Sequence, residues 1–234
     1  EADNEQLEFV RLLASKNTSH PRYNEAQETY NKERKKYTEL KQQYSSILEQ
    51  INTAERAILN YIKKDSFTKE EVYNINTKDQ SLVRNVSIIK QSYGFGYDTI
   101  GDLKKDLNRG IKSFNERLDY NLNIDFDGRS IVNDDPNDLN DRNYGNNNVM
   151  PKKGRSHGTH VSGIIAATRN NGIGINGAAN NVKIMAIRNT PNGDEYDKDV
   201  ALGVYYAVDN GAKVINMSFG KGFSNHSEWV RDAI

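Results

Sequence analysis

Ser156-His157-Gly158-Thr159-His160-Val161-Ser162-Gly163-Ile164-Ile165-Ala166-Ala167 is the stretch on which the fold of this chain turns. Ser156 is placed to cap a helix expected to run from His157 to Thr168, and Gly158, Gly163, Ala166 and Ala167 leave it a thin face for close packing. His157 then stands at the positive end of that helix, where the macrodipole disfavours imidazolium and favours a neutral ring that can accept a proton. A general base needs that state. The rival use of the same residues, a zinc site built from His157 and His160, fails on ligands: no Glu follows His157, and the chain has no cysteine. His160 reads as buried structure.

Downstream the pattern alternates. A turn over Asn170 to Gly177 leads to an apolar strand, Val182 to Arg188, then a loop to Asp197, a helix from Val200 to Asn210, and a second strand, Lys213 to Phe219. Two short apolar runs joined through a helix are the mark of a parallel α/β unit. The expected fold class is therefore α/β, a partial parallel sheet with helices, to which an α-helical hairpin is attached.

The run H-G-T-H-V-S-G-I-I-A-A resembles the histidine motif of the subtilisin-like serine peptidases, the subtilase family. Asn170-Asn171-Gly172-Ile173-Gly174-Ile175-Asn176-Gly177-Ala178-Ala179 is similar to the loop that follows that histidine in the family, and Lys213-Val214-Ile215-Asn216-Met217-Ser218-Phe219-Gly220 to its V-I-N-M-S-x-G strand. The resemblance covers roughly Asp141 to Ile234. It implies that His157 takes the proton from a nucleophilic serine. It implies further that Ser218, Phe219 and Gly220 pair with an extended peptide substrate and wall the first specificity pocket. Asn216 is not the family's oxyanion asparagine. The loop Asn189 to Tyr196 resembles the opposite wall, with Tyr196 matching an aromatic that lines an outer pocket. Asp194, Glu195 and Asp197 beside it read as a solvated acidic loop, or as an aid to basic substrate side chains. Some family members wrap a structural calcium ion in the first of these loops, a role that would fall here to Asn171. No cofactor is implied for the chemistry itself.

Two motifs of the family are missing from the 234 residues: the aspartate motif D-[ST]-G and the serine motif G-T-S. Asp125 tempts as the aspartate, but the segment before it is short and polar, and Asp127-Gly128 lacks the hydroxyl residue. The chain opens on Glu1 rather than methionine and stops at Ile234 within a helical pattern, so the aspartate is expected before it and the serine after it, in missing parts of the same protease. In the family's sheet the aspartate strand lies between the two seen here. Alone, the chain is expected to expose sheet edges and to be inactive.

The first half has another character. Tyr23, Tyr30, Tyr37, Tyr44, Ile51 and Ile58 recur every seven residues, with Ala26, Leu40, Ile47, Ala54 and Tyr61 forming the second line of a coiled-coil-like seam broken at Glu33. A helix over about 22–64 follows, its tyrosines a packing stripe whose hydroxyls reach water, with a ligand cage as the alternative. Asn4 to Ser15 reads as a short helix, and Thr68 with Glu71 and Thr77 with Gln80 as capping boxes of two more. Ile100 to Leu118 resumes the helical period. The expected organisation is a helical insertion over 1–120, an Asn/Asp-rich linker over 121–150, and a partial catalytic domain over 151–234. A degenerate relic, using the hairpin to bind a partner helix, is the competing reading.

Composition narrows the class. Lys and Arg number 32, as do Asp and Glu, and this balance gives no field to gather nucleic acid. Mean hydropathy is −0.84, and no apolar run approaches the roughly 18 residues of a membrane helix. By the resemblance, the expected setting is secreted or cell-envelope, and the expected partner a protein or peptide substrate.

Overall fold

The structure is a computed structural model that describes residues 4–150 and 156–234. The boundary expected at Pro151 lies outside the described residues. The chain divides into two compact units: one spans 9–126, and the other joins the residues up to Glu8 to 127–234.

The first unit is helical. Following α1 (Glu8–Ala14), whose Val10, Leu12 and Leu13 are buried, the heptad tract forms α2 (Tyr23–Ile62) as one helix of 40 residues. It ends where Lys63 takes a left-handed conformation (φ 57°, ψ 46°) and returns its amide to the Leu59 carbonyl. The box at Thr68 is present in full: its hydroxyl accepts from Glu71 N–H while the Glu71 carboxylate accepts from Thr68 N–H, opening α3 (Lys69–Tyr73). The second box is corrected. Asp79, not Thr77, caps α4 (Gln80–Gly94), its carboxylate accepting from the amides of Ser81 and Leu82, while the Thr77 hydroxyl accepts from Asp79 N–H. Thr99 caps α5 (Ile100–Glu116), which runs on into a π-helical turn, Arg117–Asn121.

α2 lies against α4 and α5. The core between them gathers Ile51, Ala54 and Ile58 from α2, Val72 from α3, Leu82, Val86, Ile89 and Tyr93 from α4, and Ile100, Leu103 and Leu107 from α5. Each fully buried aliphatic side chain contributes about 1.5–3 kcal/mol, so packing rather than intrinsic propensity holds so long a helix. Toward its N-terminal half the seam is only half-buried. There Tyr44 meets Phe114 edge-on at 5.1 Å, Tyr37 lies 6.0 Å from the same ring, and Arg117 covers the face of Tyr37 at 5.4 Å. Tyr37 and Tyr44 thus pack on Phe114 as part of the stripe.

The second unit carries α6 (Arg129–Val132), α7 (His157–Ala166), α8 (Asp197–Asp209) and α9 (Ser227–Ala233). Here the α/β expectation is overturned. Among the described residues there is no sheet, and Val182 to Arg188 and Lys213 to Phe219 run without a ladder. A strand is completed by a neighbour that takes its N–H and C=O groups, and neither segment has one among the described residues. Apart from half-buried Phe219, their large apolar side chains are exposed, from Ile187 at 37 % to Val214 at 87 %. A parallel bridge lies elsewhere among the described residues, Asn4 with Asn192. Glu5 N–H donates to the Asn192 carbonyl at 3.1 Å and Asp194 N–H to that of Gln6 at 3.4 Å. These bonds draw residues 4–6 out of the helix expected from Asn4.

Candidate active site

α7 forms where small residues alternate with Val161, Ile164 and Ile165, and its two ends are finished differently. At its start the His160 amide donates to the Ser156 carbonyl at 2.8 Å, but the Ser156 hydroxyl makes no cap bond, contrary to expectation. The last carbonyls are taken by the chain folding back. Ala178 N–H donates to Ile164 and Ala179 N–H to Ile165, both at 2.9 Å, and Gly177 N–H to Ala167 at 3.0 Å. A Cβ on Gly177 would stand 2.5 Å from the Ala167 nitrogen, so this return needs glycine.

The loop between is self-bonded. Asn170, at φ 58°, donates its amide to Asn176 Oδ1 at 2.8 Å, and Asn171 Oδ1 accepts from Ile173 N–H at 3.0 Å. His157 lies at the first position of α7 with its side chain exposed, and His160 is exposed too, not buried as its spacing suggested. Ser218 is exposed and accepts from Asn216 Nδ2 at 2.8 Å, Gly220 is exposed, and Phe219 is half-buried. Among the described residues no hydrogen bond joins His157 to Ser218, Phe219, Gly220 or Tyr196. Asp125 is exposed and lies in the other unit. No group of three or more His, Asp or Glu among the described residues is set to hold a metal ion.

Tyr196 sits in a different setting, a dense charged cluster at the start of α8. The reading of Asp194, Glu195 and Asp197 as a solvated acidic loop is corrected: Glu195 and Asp197 are 5 % and 6 % exposed. Asp194 Oδ2 accepts from Glu8 N–H at 2.9 Å, and the Glu195 carbonyl accepts from Lys221 Nζ at 2.8 Å. Asp197 accepts from the Ser224 hydroxyl at 3.0 Å and from the amides of Asn225 and His226 at 3.1 and 2.9 Å, with Lys221 at 3.1 Å. Burial alone would raise its carboxyl, yet the His226 amide and the Lys221 ammonium hold it below the usual carboxylate range.

Residues that the sequence reading did not single out complete the cluster. Arg129, 7 % exposed, forks onto Asp199, reaches Asp134 Oδ2 at 2.9 Å and Glu5 Oε1 at 3.8 Å, and lies 3.7 Å over the centre of the Tyr196 ring. The Tyr196 hydroxyl donates to Glu5 Oε2 at 3.1 Å. Lys198, 1 % exposed, pairs with Asp134 and donates to the Asp135 carbonyl at 2.7 Å. Tyr144 donates to Asp199 Oδ1 at 2.6 Å, its phenol raised by burial and by the Asp199 charge. Burial likewise pushes the Asp134 carboxyl up, against the pull of Lys198. Gly128 belongs to the same construction: a Cβ there would stand 2.5 Å from the Glu5 carboxylate. The only local hint was the charge density of Arg129 with Asp134, Asp135, Asp138 and Asp141 on one side and Asp197-Lys198-Asp199 on the other.

A family model described as the subtilase family matches residues 17–234. A thermophilic serine proteinase of Bacillus sp. (strain AK1) is 36 % identical over 137 residues, covering 56 % of this chain and 32 % of its own. Thermitase of Thermoactinomyces vulgaris is 45 % identical over 80 residues (34 % of this chain, 29 % of its own), and a cell wall-associated protease of Bacillus subtilis (strain 168) is 46 % identical over 79 (33 % and 9 %). The chain thus spans a third or less of the length of these curated relatives. No solved structure matches it.

Proposed function

Because the chain belongs to the subtilase family, we propose that it works as part of a serine endopeptidase and supplies that enzyme's general base, His157. The observation that carries the reading is the position of His157, on the first turn of a helix whose far end is locked to the Asn-Gly loop. In that role the imidazole takes the proton of the serine hydroxyl as it attacks the scissile carbonyl, then gives it to the departing amine. The serine and the orienting carboxylate come from other segments of the protease, since neither D-[ST]-G nor G-T-S stands within these residues.

Ser218 and Gly220, both exposed, suit the edge along which a peptide substrate lays its backbone, with Phe219 beside it. Tyr196 would wall an outer subsite. The exposed apolar faces of Val182 to Arg188 and Lys213 to Phe219 suit completion by neighbouring strands of the same enzyme, with the helical unit inserted ahead of the histidine motif. Since one relative is named for the cell wall and the family cleaves proteins, we place the enzyme in the envelope or outside the cell. A structural calcium ion at the Asn171 loop would draw most of its oxygens from backbone carbonyls and from other segments of the protease. The Asn171 amide oxygen accepts from Ile173 N–H and would be one of the about six to eight oxygens that the ion takes.

Reaction with a fluorophosphonate probe tests the division of labour. The whole protease is expected to take the label and the isolated chain none; labelling of the isolated chain would overturn the proposal.

A further inference from the structure

We infer that Arg129 is a positioning residue for substrate selection: it clamps Tyr196 from one face and so presets the wall of the outer subsite. This rests on the reading of Tyr196 given above. The geometry on which it stands is independent of the histidine motif, because Arg129 belongs to α6, well upstream of His157.

Tyr196 is held at three points. Its backbone is the N-cap of α8 (φ −86°, ψ 138°), its hydroxyl donates to Glu5 Oε2 at 3.1 Å, and its ring lies under the Arg129 guanidinium at 3.7 Å. The clamp is itself held by two carboxylates. Arg129 reaches both oxygens of Asp199 and one of Asp134, and the same Asp199 also accepts from Tyr144 at 2.6 Å. A guanidinium can do this and an ammonium cannot, since only a planar fork stacks on a ring while bonding in its own plane to two carboxylates. The consequence for a substrate is steric and entropic. The guanidinium covers one face of Tyr196 and the Glu5 carboxylate fixes its hydroxyl, so the ring is preset as an aromatic wall for a large apolar side chain and need not be ordered on binding.

The sensitive readout is preference rather than rate. Peptides that differ only as Phe or Ala at each outer position in turn are cleaved by the whole protease, and kcat/KM is compared. At the position served by Tyr196, Arg129→Lys and Arg129→Met are expected to cut the Phe-over-Ala preference about fivefold or more, through KM. Cleavage of the Ala peptide should stay within about twofold. Tyr196→Ala should abolish the same preference, and adding Arg129→Lys to it should change nothing further. If Arg129→Met does not fold, Asp199→Asn, which loosens the fork, should move the preference in the same direction. Equal losses on both peptides would mark a merely structural role and overturn the inference. An unchanged preference in Arg129→Lys, with preference lost in Tyr196→Ala, would overturn it while leaving Tyr196 in the subsite. Preference surviving in Tyr196→Ala would remove the reading of Tyr196 and the inference with it.

Discussion

Lys198 Nζ donates to the main-chain carbonyl of Asp135 at 2.7 Å, with the Lys198 side chain fully enclosed and the Asp134 carboxylate paired to the same nitrogen. Burying an ammonium is tolerable only when its partners are complete, and removing one partner strands the other's charge. Lys198→Met is therefore expected to destabilise the second unit by about 3–5 kcal/mol, and Asp134→Asn added to it to recover part of the loss. Trp229, the single tryptophan, lies in α9 stacked on His226 at 3.9 Å, so its fluorescence in urea reads this unit. A Lys198→Met midpoint equal to the parent's would refute the assignment.

The helical unit should respond separately. Ile58 is wholly buried between α2 and its neighbours, and truncating such a side chain to alanine costs about 2–5 kcal/mol. Ile58→Ala should lower the helical circular dichroism transition and leave the Trp229 midpoint where it was. A shift of both together would mean the two units unfold as one.

Gly110 offers a finer test of the same packing. A Cβ there would stand 2.7 Å from the Tyr44 ring, which already meets Phe114. Helix propensity alone would make Gly110→Ala stabilising by roughly 1 kcal/mol, whereas overpacking costs typically about 1–3 kcal/mol. The net expectation is destabilisation, relieved when Tyr44→Leu is made as well.

Acid should act through Asp197. Its carboxyl is held low in the folded state by the His226 amide and Lys221, although burial opposes them, so its contribution is present above the unfolded carboxylate value of about 3.9. That contribution is lost as pH falls through the lower folded value. Asp197→Asn should flatten the pH dependence of the Trp229 transition below about pH 4, which urea titrations from pH 3 to pH 7 would reveal.

How much of this was legible depended on whether the signal was local. The seven-residue recurrence from Tyr23 to Ile58 gave α2, and H-G-T-H gave the start of α7, because each is written in adjacent turns. Thr77 was mistaken for a cap because Asp79, nearer the helix, competes better for the amides of Ser81 and Leu82. Val182 to Arg188 and Lys213 to Phe219 have strand composition, but a strand exists only with its neighbour, and composition does not report one. The pairing of Arg129 with Asp199 and of Lys198 with Asp134 joins segments distant in sequence. Nothing in either segment alone marks its partner.

The exposed apolar side chains of those segments make a prediction of their own. With Val214 at 87 % and Val182 at 50 % exposed, the isolated chain should bind an apolar dye such as ANS under native conditions. Polar replacements at Val214 and Ile184 should reduce that binding without moving either unfolding transition. Dye binding at the background level of a closed globular protein would argue that the segments are covered.

The account depends most directly on His157, and a pair of substitutions in the whole protease decides it. His157→Ala is expected to lower kcat by roughly 10⁴-fold or more while the protein stays folded, with His160→Ala, three residues on along the same helix, within about tenfold of the parent. Turnover surviving in His157→Ala, or an equal loss in both variants, would contradict the assignment of the general base.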